Sequence, residues 1–361
     1  MVQVNVGSAQ QHQALQWLDK DDILERLAIP DGITARPLEI NRSAKFETRK
    51  DGSINVRFNR DKDQIFTVED PEAMRAMAEF AGVSTQMAKE FPQELVTPLV
   101  SWGIRQKDGV VVIADEDNRI VNVQDRNKLQ PIMPAEAVLE HMLAQWPEVK
   151  FKDAQMGSQY GTDIVAITHD EERRLEEMVK PGLHQFLPSG GDPFRAGVHI
   201  HTNPMGLSAP QIEPFTYRLI CLNGAVHTEY LHDAWGRGYG EGDELWQWFR
   251  EGLQASDMAV GNIMGKYAEM IGETIEPNDR ARVVEGYARQ ARLGTDDRQA
   301  LRDQAMNDPP RNMYDLFNLA TATATHRGHK TLQEMLNHQR RATVNTTTAD
   351  AHGHYCPTCK R

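Results

Sequence analysis

Apolar residues change period several times along this chain, and each change marks a change of element. Leu15, Leu18, Ile23, Leu24 and Leu27 fall at helical spacing until Pro30-Asp-Gly32 interrupts them, which predicts a short docking helix or arm. From 36 to 68 the pattern alternates through Leu38, Ile40 and Lys45 to Thr48. It then crosses a turn at Lys50 to Ser53 and continues through Ile54, Val56 and Phe58, a hairpin with one apolar face. Asp70-Pro71 combines a helix cap with proline at the first helical position, and Met74, Met77, Ala78, Phe80 and Ala81 continue at helical spacing. β character is predicted again over Thr97 to Ile104 and over Val110 to Val123, the second a hairpin with a polar turn in its middle. Pro134 to Trp146 reads as an amphipathic helix closed by Pro147, and strands resume at Ile164 to Thr168.

The segment from Gly191 to Val226 joins an alternating strand, a turn rich in Gly, Pro and Asn, and a second apolar run ending in Asn223-Gly224. After the Gly-rich joint Trp235 to Gly242 the spacing is helical, with a last helix over Leu332 to Arg341. Thr343 to Gly353 carries almost nothing apolar and is expected to be a flexible tether. No fixed-period repeat is present, so the fold class is α+β: antiparallel sheet elements with interspersed helices and a mainly helical C-terminal third. The expected divisions are an N-terminal helical arm (1–30), an α+β core (31–240), a helical region (241–341) and a tail (342–361).

With 361 residues, 40% apolar and 25% charged, the chain is long enough to bury its own core. It has no apolar run of bilayer-spanning length and no charged-then-apolar N-terminal leader pattern, so no membrane is expected and the expected location is cytoplasmic. The net charge of -12 is unevenly spread: residues 1–276 hold 27 basic and 43 acidic side chains, while 277–361 hold 13 and 9. The C-terminal stretch is therefore the best electrostatic footprint for phosphates, through His326-Arg-Gly-His-Lys330 and Gln339-Arg-Arg341. The arginines from Arg280 to Arg302 alternate with acids and are expected to line solvated helix faces.

Two histidines, His199 and His201, lie two apart on one strand, which puts both rings on one face at the spacing of two metal ligands. Asp192, Asn203, His184 and His227 are candidates to complete such a site; the alternative is a polar-paired face. Cys356-Pro-Thr-Cys359 is a more specific metal signal, since Cys-x-x-Cys offers two thiolates to one tetrahedral zinc. His352 and His354, or else His326, His329 or a second chain, would supply the remaining ligands. Asn223-Gly224 after Arg218 reads as a tight turn; its functional alternative has Arg218 and Asn223 facing a phosphate or base. The aromatic group Trp246, Trp248 and Phe249, with Trp235 and Tyr239 upstream, suits a core or interface first and base stacking second. A phosphate-binding Gly-Lys-Ser/Thr loop is absent, and spacing alone assigns no Ser-His-Asp, Cys-His or paired-carboxylate constellation, so no catalytic residue is named and the reading leans away from an enzyme.

Asp192 to Val198 followed by Tyr217-Arg-Leu-Ile-Cys-Leu-Asn-Gly-Ala-Val226 resembles the phage/plasmid-like uncharacterised protein family with an Arg-Leu-Ile/Val-Cys-x-Asn-Gly element. Ala73 to Leu95, the Val110 to Asn122 hairpin and Tyr314 to Thr321 resemble that family elsewhere, over about residues 70 to 330. The resemblance implies a phage- or plasmid-encoded DNA-metabolism protein that binds or anneals single-stranded DNA in recombination or replication, as a homo-oligomer. The nucleic-acid-binding candidates are then Arg218, Asn223, Arg327, Lys330, Arg340 and Arg341, with zinc at the tail. The alternatives are a metal-dependent enzyme built on His199 and His201, and a structural or virion-associated protein.

Overall fold

The computed structural model describes residues 17–40, 44–59, 64–157, 160–169, 173–187, 193–218, 242–290 and 293–325. α1 (Lys20–Arg26) begins at a reciprocal cap, in which Asp19 accepts the Asp22 amide at 2.8 Å and the Asp22 carboxylate accepts the Asp19 amide at 3.2 Å. β1 (Thr34–Glu39), β2 (Lys45–Thr48), β3 (Ile54–Arg57) and β4 (Phe66–Val68) follow. β2, β3 and β4 form an antiparallel sheet, and the β2–β3 turn is fixed by Asp51, which accepts from both the amide and the hydroxyl of Ser53. β1 leaves that hairpin and pairs with β5 (Gly109–Ala114), itself paired with β6 (Ile120–Asp125), because the Leu38 side needs the apolar cover of Val110 and Val112. Between the two sheets run α2 (Pro71–Ala81), α3 (Thr85–Glu90) and α4 (Gln93–Ile104). Asp70 caps α2 by accepting the Glu72 amide, and Gly82, left-handed at φ 78°, ends it.

The prediction of a strand at Thr97 to Ile104 is overturned: these residues are the last two turns of α4. The segment is rich in residues that favour strands, but Val96, Val100 and Ile104 recur every four residues and are buried against the same core as Met77 and Phe80 of α2. Packing outweighs local propensity here. The fit is close, since a methyl group at Gly103 would overlap the Ala81 carbonyl oxygen.

α5 (Ala135–Gln145) leads into the largest sheet, made of β7 (Lys150–Met156), β8 (Thr162–Ile167), the two-residue β9 (Arg173–Arg174), β10 (Pro193–Thr202) and β11 (Gln211–Arg218). The order is β11-β10-β8-β7, all antiparallel, with β9 paired to the start of β10. One face, carrying Ile164, Ala166, Val198, Ile200 and Ile212, packs against α5, α1 and the first half of α6 (Asp243–Gly272). Gly252 of α6 gives this contact its depth, because a Cβ there would lie 2.6 Å from Ile212 Cδ1. Phe249 belongs to this core, and Trp246 and Trp248 pack half-buried against it, with Trp246 stacked on His141 at 4.5 Å; Trp235 and Tyr239 lie outside the described residues.

The second half of α6 enters a separate apolar cluster with α7 (Arg280–Gln290), α8 (Thr295–Asn307) and α9 (Met313–Thr325), centred on Tyr267, Tyr287, Leu301, Tyr314 and Phe317. Phe194 of β10 reaches the same cluster, so sheet and helical region are joined through α6 rather than by a linker. On the outer faces Glu285 pairs with Arg289, Arg298 and Arg302, the solvated acid–base pattern expected of this stretch. The class is α+β, with antiparallel sheets and a helical C-terminal region. No helix among the described residues is long and apolar enough to cross a membrane.

Candidate active site

The face of the large sheet opposite α6 carries polar groups where β-strand alternation puts the odd-numbered residues of β10. Register then decides the neighbours. His201 lies opposite Asp163 of β8, and His199 lies opposite Glu213 of β11. His199 is held between two carboxylates, its Nε2 at 2.8 Å from Asp163 Oδ1 and its Nδ1 at 3.2 Å from Glu213 Oε2. His201 Nδ1 is 3.0 Å from the same Asp163 oxygen, and its Nε2 is 2.8 Å from Ser208 Oγ. Asp163, His199 and Glu213 are buried, while His201 and Ser208 are half-buried at the edge of the group.

The protons in this chain of contacts follow from what each group can donate. Burial pushes the His199 imidazolium toward losing its proton, but hydrogen bonds to Asp163 and Glu213 and their negative charges outweigh that, raising it to about 9. Burial likewise works against the Asp163 anion, yet the two imidazole hydrogen bonds hold its carboxyl well below the ordinary range. Asp163 is therefore a pure acceptor. It takes one proton-bearing nitrogen from each ring, which fixes the His201 tautomer with the hydrogen on Nδ1. Whenever the His201 ring is neutral, its lone pair is therefore on Nε2, where it accepts the Ser208 hydroxyl hydrogen. Ser208, His201 and Asp163 thus share the connectivity of a nucleophile, a general base and the carboxylate that orients the base.

Local structure holds this geometry. The β10–β11 turn is closed by Asn203, whose side chain accepts the Met205 amide at 2.9 Å and whose carbonyl accepts the Gly206 amide at 3.0 Å. Gly206 adopts φ 70°, and its carbonyl accepts the Gln130 amide at 2.9 Å, tying the turn to the segment before α5. Across the sheet, Thr162 and Thr202 hydroxyls meet at 2.7 Å where β8 begins and β10 ends. Gly161 leaves the room the His201 ring occupies, since a Cβ there would be 2.9 Å from His201 Cε1. Beside Ser208, Leu207 forms part of the wall of a polar cavity of about 270 Å³, together with Phe80, Lys107, Gln124 and Lys128.

His199 and His201 do share a face, and that face is polar-paired. Their ring nitrogens meet Asp163, Glu213 and Ser208, and among the described residues no group of three or more His, Cys, Asp or Glu side chains is arranged to hold a metal ion. Of the residues expected to complete a metal site, Asn203 closes its own turn and His184 bonds the Val179 carbonyl, while Asp192 and His227 lie outside the described residues. Arg218 is the last residue of β11, opposite Phe194. Asn223, Arg327, Lys330, Arg340, Arg341, His352, His354, Cys356 and Cys359 lie outside the described residues. Spacing along the chain assigns no Ser-His-Asp arrangement; the β8–β10 register sets Asp163 beside His201, and the turn after β10 brings Ser208 to the same ring. Beyond the His199 and His201 pair, the signal in the sequence was Asp163, the one charged residue of the buried strand β8.

Fold and site together define an α+β protein with a buried imidazole–carboxylate chain ending at a serine. No family model, no curated protein and no solved structure matches this chain.

Proposed function

We propose that the protein is a serine-dependent hydrolase or acyltransferase acting on an ester-class carbonyl, with Ser208 as nucleophile, His201 as general base and acid, and Asp163 orienting His201. The observation that carries this reading is the unbroken hydrogen-bonded path from Ser208 Oγ through both nitrogens of His201 to Asp163. In the forward step Ser208 Oγ bonds to the carbonyl carbon and its proton passes to His201 Nε2. The carbonyl–oxygen bond of the leaving group then breaks, and that oxygen takes the proton back from Nε2. Water, deprotonated by the same nitrogen, cleaves the acyl-serine and regenerates the hydroxyl. Asp163, kept anionic by its surroundings, stabilises the imidazolium formed at each proton transfer. His199 is a positioning residue, because it holds Asp163 from the buried side.

The test is covalent. Full-length protein treated with a fluorophosphonate probe at mildly alkaline pH is expected to gain one adduct, mapped to Ser208 by peptide mass. The adduct should be absent in Ser208→Ala and form about 100-fold more slowly in His201→Gln. A folded wild-type protein with no adduct at Ser208, or a rate unchanged by His201→Gln, overturns the proposal.

The charge distribution favours a second reading, in which the protein serves phage or plasmid DNA metabolism by binding single-stranded DNA through its C-terminal stretch. What supports it is the basic balance of residues 277–361 in a chain otherwise strongly acidic. Gel-shift titration of the full chain at low salt is expected to show binding to single-stranded oligonucleotides that weakens in Arg340→Glu with Arg341→Glu. Absence of binding at low salt, where phosphate contacts are strongest, rejects it.

A further inference from the structure

α4 is apolar on two opposite faces, and among the described residues only one of them is covered. Val96, Val100 and Ile104 are buried in the core beneath it. Phe91, just before the helix, and Leu95, Leu99 and Trp102 on its outer face are 48%, 57%, 44% and 67% exposed. Leu95, Leu99 and Trp102 are spaced by four and three residues, so they form one ridge one side chain wide, with the exposed Pro98 on the same line. Single exposed apolar side chains are ordinary on a protein surface. Four large ones in a row are the mark of a contact surface.

We infer that this ridge is a self-association face, on which α4 of a second copy of the chain packs antiparallel about a two-fold axis. The helix is built to complement itself in that orientation. A two-fold interface uses the same patch twice, so an axis between Pro98 and Leu99 would set Leu95 against Trp102 of the partner subunit and Leu99 against Pro98 of the partner subunit. Charge agrees with the antiparallel sense. Glu94, exposed in the first turn, and Arg105, exposed just past the last, fall on the same flank of the ridge. The flank that faces itself in an antiparallel pair would then bring Glu94 beside Arg105 of the partner subunit. A parallel pair would instead set like helix ends together and leave Glu94 and Arg105 of the partner subunit on opposite sides of the seam.

The ridge is one helix wide, smaller than the roughly 800 Å² per partner of a standard interface, so the expected dimer is a reversible one. This inference is independent of the serine site and of the DNA reading. Sedimentation velocity on the full chain from about 1 µM to about 100 µM is expected to show the mass rising from that of a 40.8 kDa monomer toward twice that value. Trp102→Glu and, separately, Leu95→Glu should each weaken association at least about tenfold, with unchanged thermal unfolding because both positions are on the surface. Glu94→Arg should weaken it as well, and adding Arg105→Glu should restore it. A monomer throughout that range, or a dimer unaffected by both apolar-to-Glu variants, overturns the inference.

Discussion

Asp163 and His201 stand directly opposite one another in the β8–β10 ladder, and Asp163 Oδ1 accepts the His201 Nδ1 hydrogen at 3.0 Å. Because the same oxygen also accepts from His199 Nε2 at 2.8 Å, the carboxylate is both oriented and kept charged by the pair of rings. The serine end of this series of contacts is half-buried and its carboxylate anchor is inside. That polarity, with His201 and Ser208 half-buried and Asp163, His199 and Glu213 buried, suits a site that must meet a substrate without losing its geometry.

Asp163→Asn is the sharpest probe of the anchor. Asparagine keeps the shape but removes the charge, and its amide can turn a donor toward His201, favouring the wrong tautomer for a base. Labelling of Ser208 by a fluorophosphonate is expected to fall by about 100-fold or more. Urea unfolding should show a loss of about 3–5 kcal/mol, because His199 keeps its buried charge with one acid gone. Labelling at the wild-type rate in a folded variant would show that Asp163 has no part in the chemistry.

His199 makes stability depend on pH in a definite direction. Its folded value of about 9 lies above the ordinary 6.5, so its contribution is fully present below pH 6.5, shrinks as pH rises toward 9 and is gone beyond it. Asp163 is shifted the other way from 3.8, so its contribution is present above that pH and lost as pH falls. The pair is therefore strongest between pH 3.8 and 6.5. The alkaline decline due to His199 amounts to about 3 kcal/mol. Lys152, lowered to about 8 by burial despite the charge of Asp153, changes stability in the opposite sense as pH rises from 8 to 10.5. The comparison to make is thus wild type against His199→Gln in urea unfolding from pH 5 to pH 10. The difference between the two curves should narrow as the solution becomes alkaline, and a constant difference contradicts the assignment.

Gly161→Ala tests positioning without touching a charge. The added methyl would stand 2.9 Å from His201 Cε1, so the ring has to move away from Ser208. The expected result is a drop in Ser208 labelling with a stability loss of about 1–3 kcal/mol, typical of overpacking. If labelling and stability both stay at wild-type levels, the close approach of Gly161 to the ring does not matter.

Metal content separates the two candidate metal positions. Cys-x-x-Cys predicts that protein purified without chelators carries zinc by elemental analysis, and that Cys356→Ser with Cys359→Ser removes it. Removal by chelator should leave Ser208 labelling unchanged, since the His201 nitrogens are engaged by Asp163 and Ser208. Zinc that survives the double cysteine change and disappears with His199→Ala would return the metal to the sheet.

Much of this protein follows from patterns a few residues long. Asp70-Pro71 starts α2 and Gly82 ends it, alternation along β10 puts His199 and His201 on one face, and the helical spacing after Gly242 becomes α6 to α9. Each depends on period, capping and turn chemistry, which the local chain carries within itself. Tertiary structure decided the rest. Thr97 to Ile104 became helix because α2 offered a groove that fits a four-residue repeat, and β1 left its neighbouring hairpin for β5. The serine site depends on pairing across the sheet. Asp163 is 38 residues from His201, and nothing between them states that β8 and β10 will pair in a register that sets them opposite. Ser208 is only seven residues from His201, yet it reaches Nε2 through the particular turn that Asn203 and Gly206 close. Period tells which face a side chain takes; register and loop closure, which are properties of the packed sheet, decide whom it meets there.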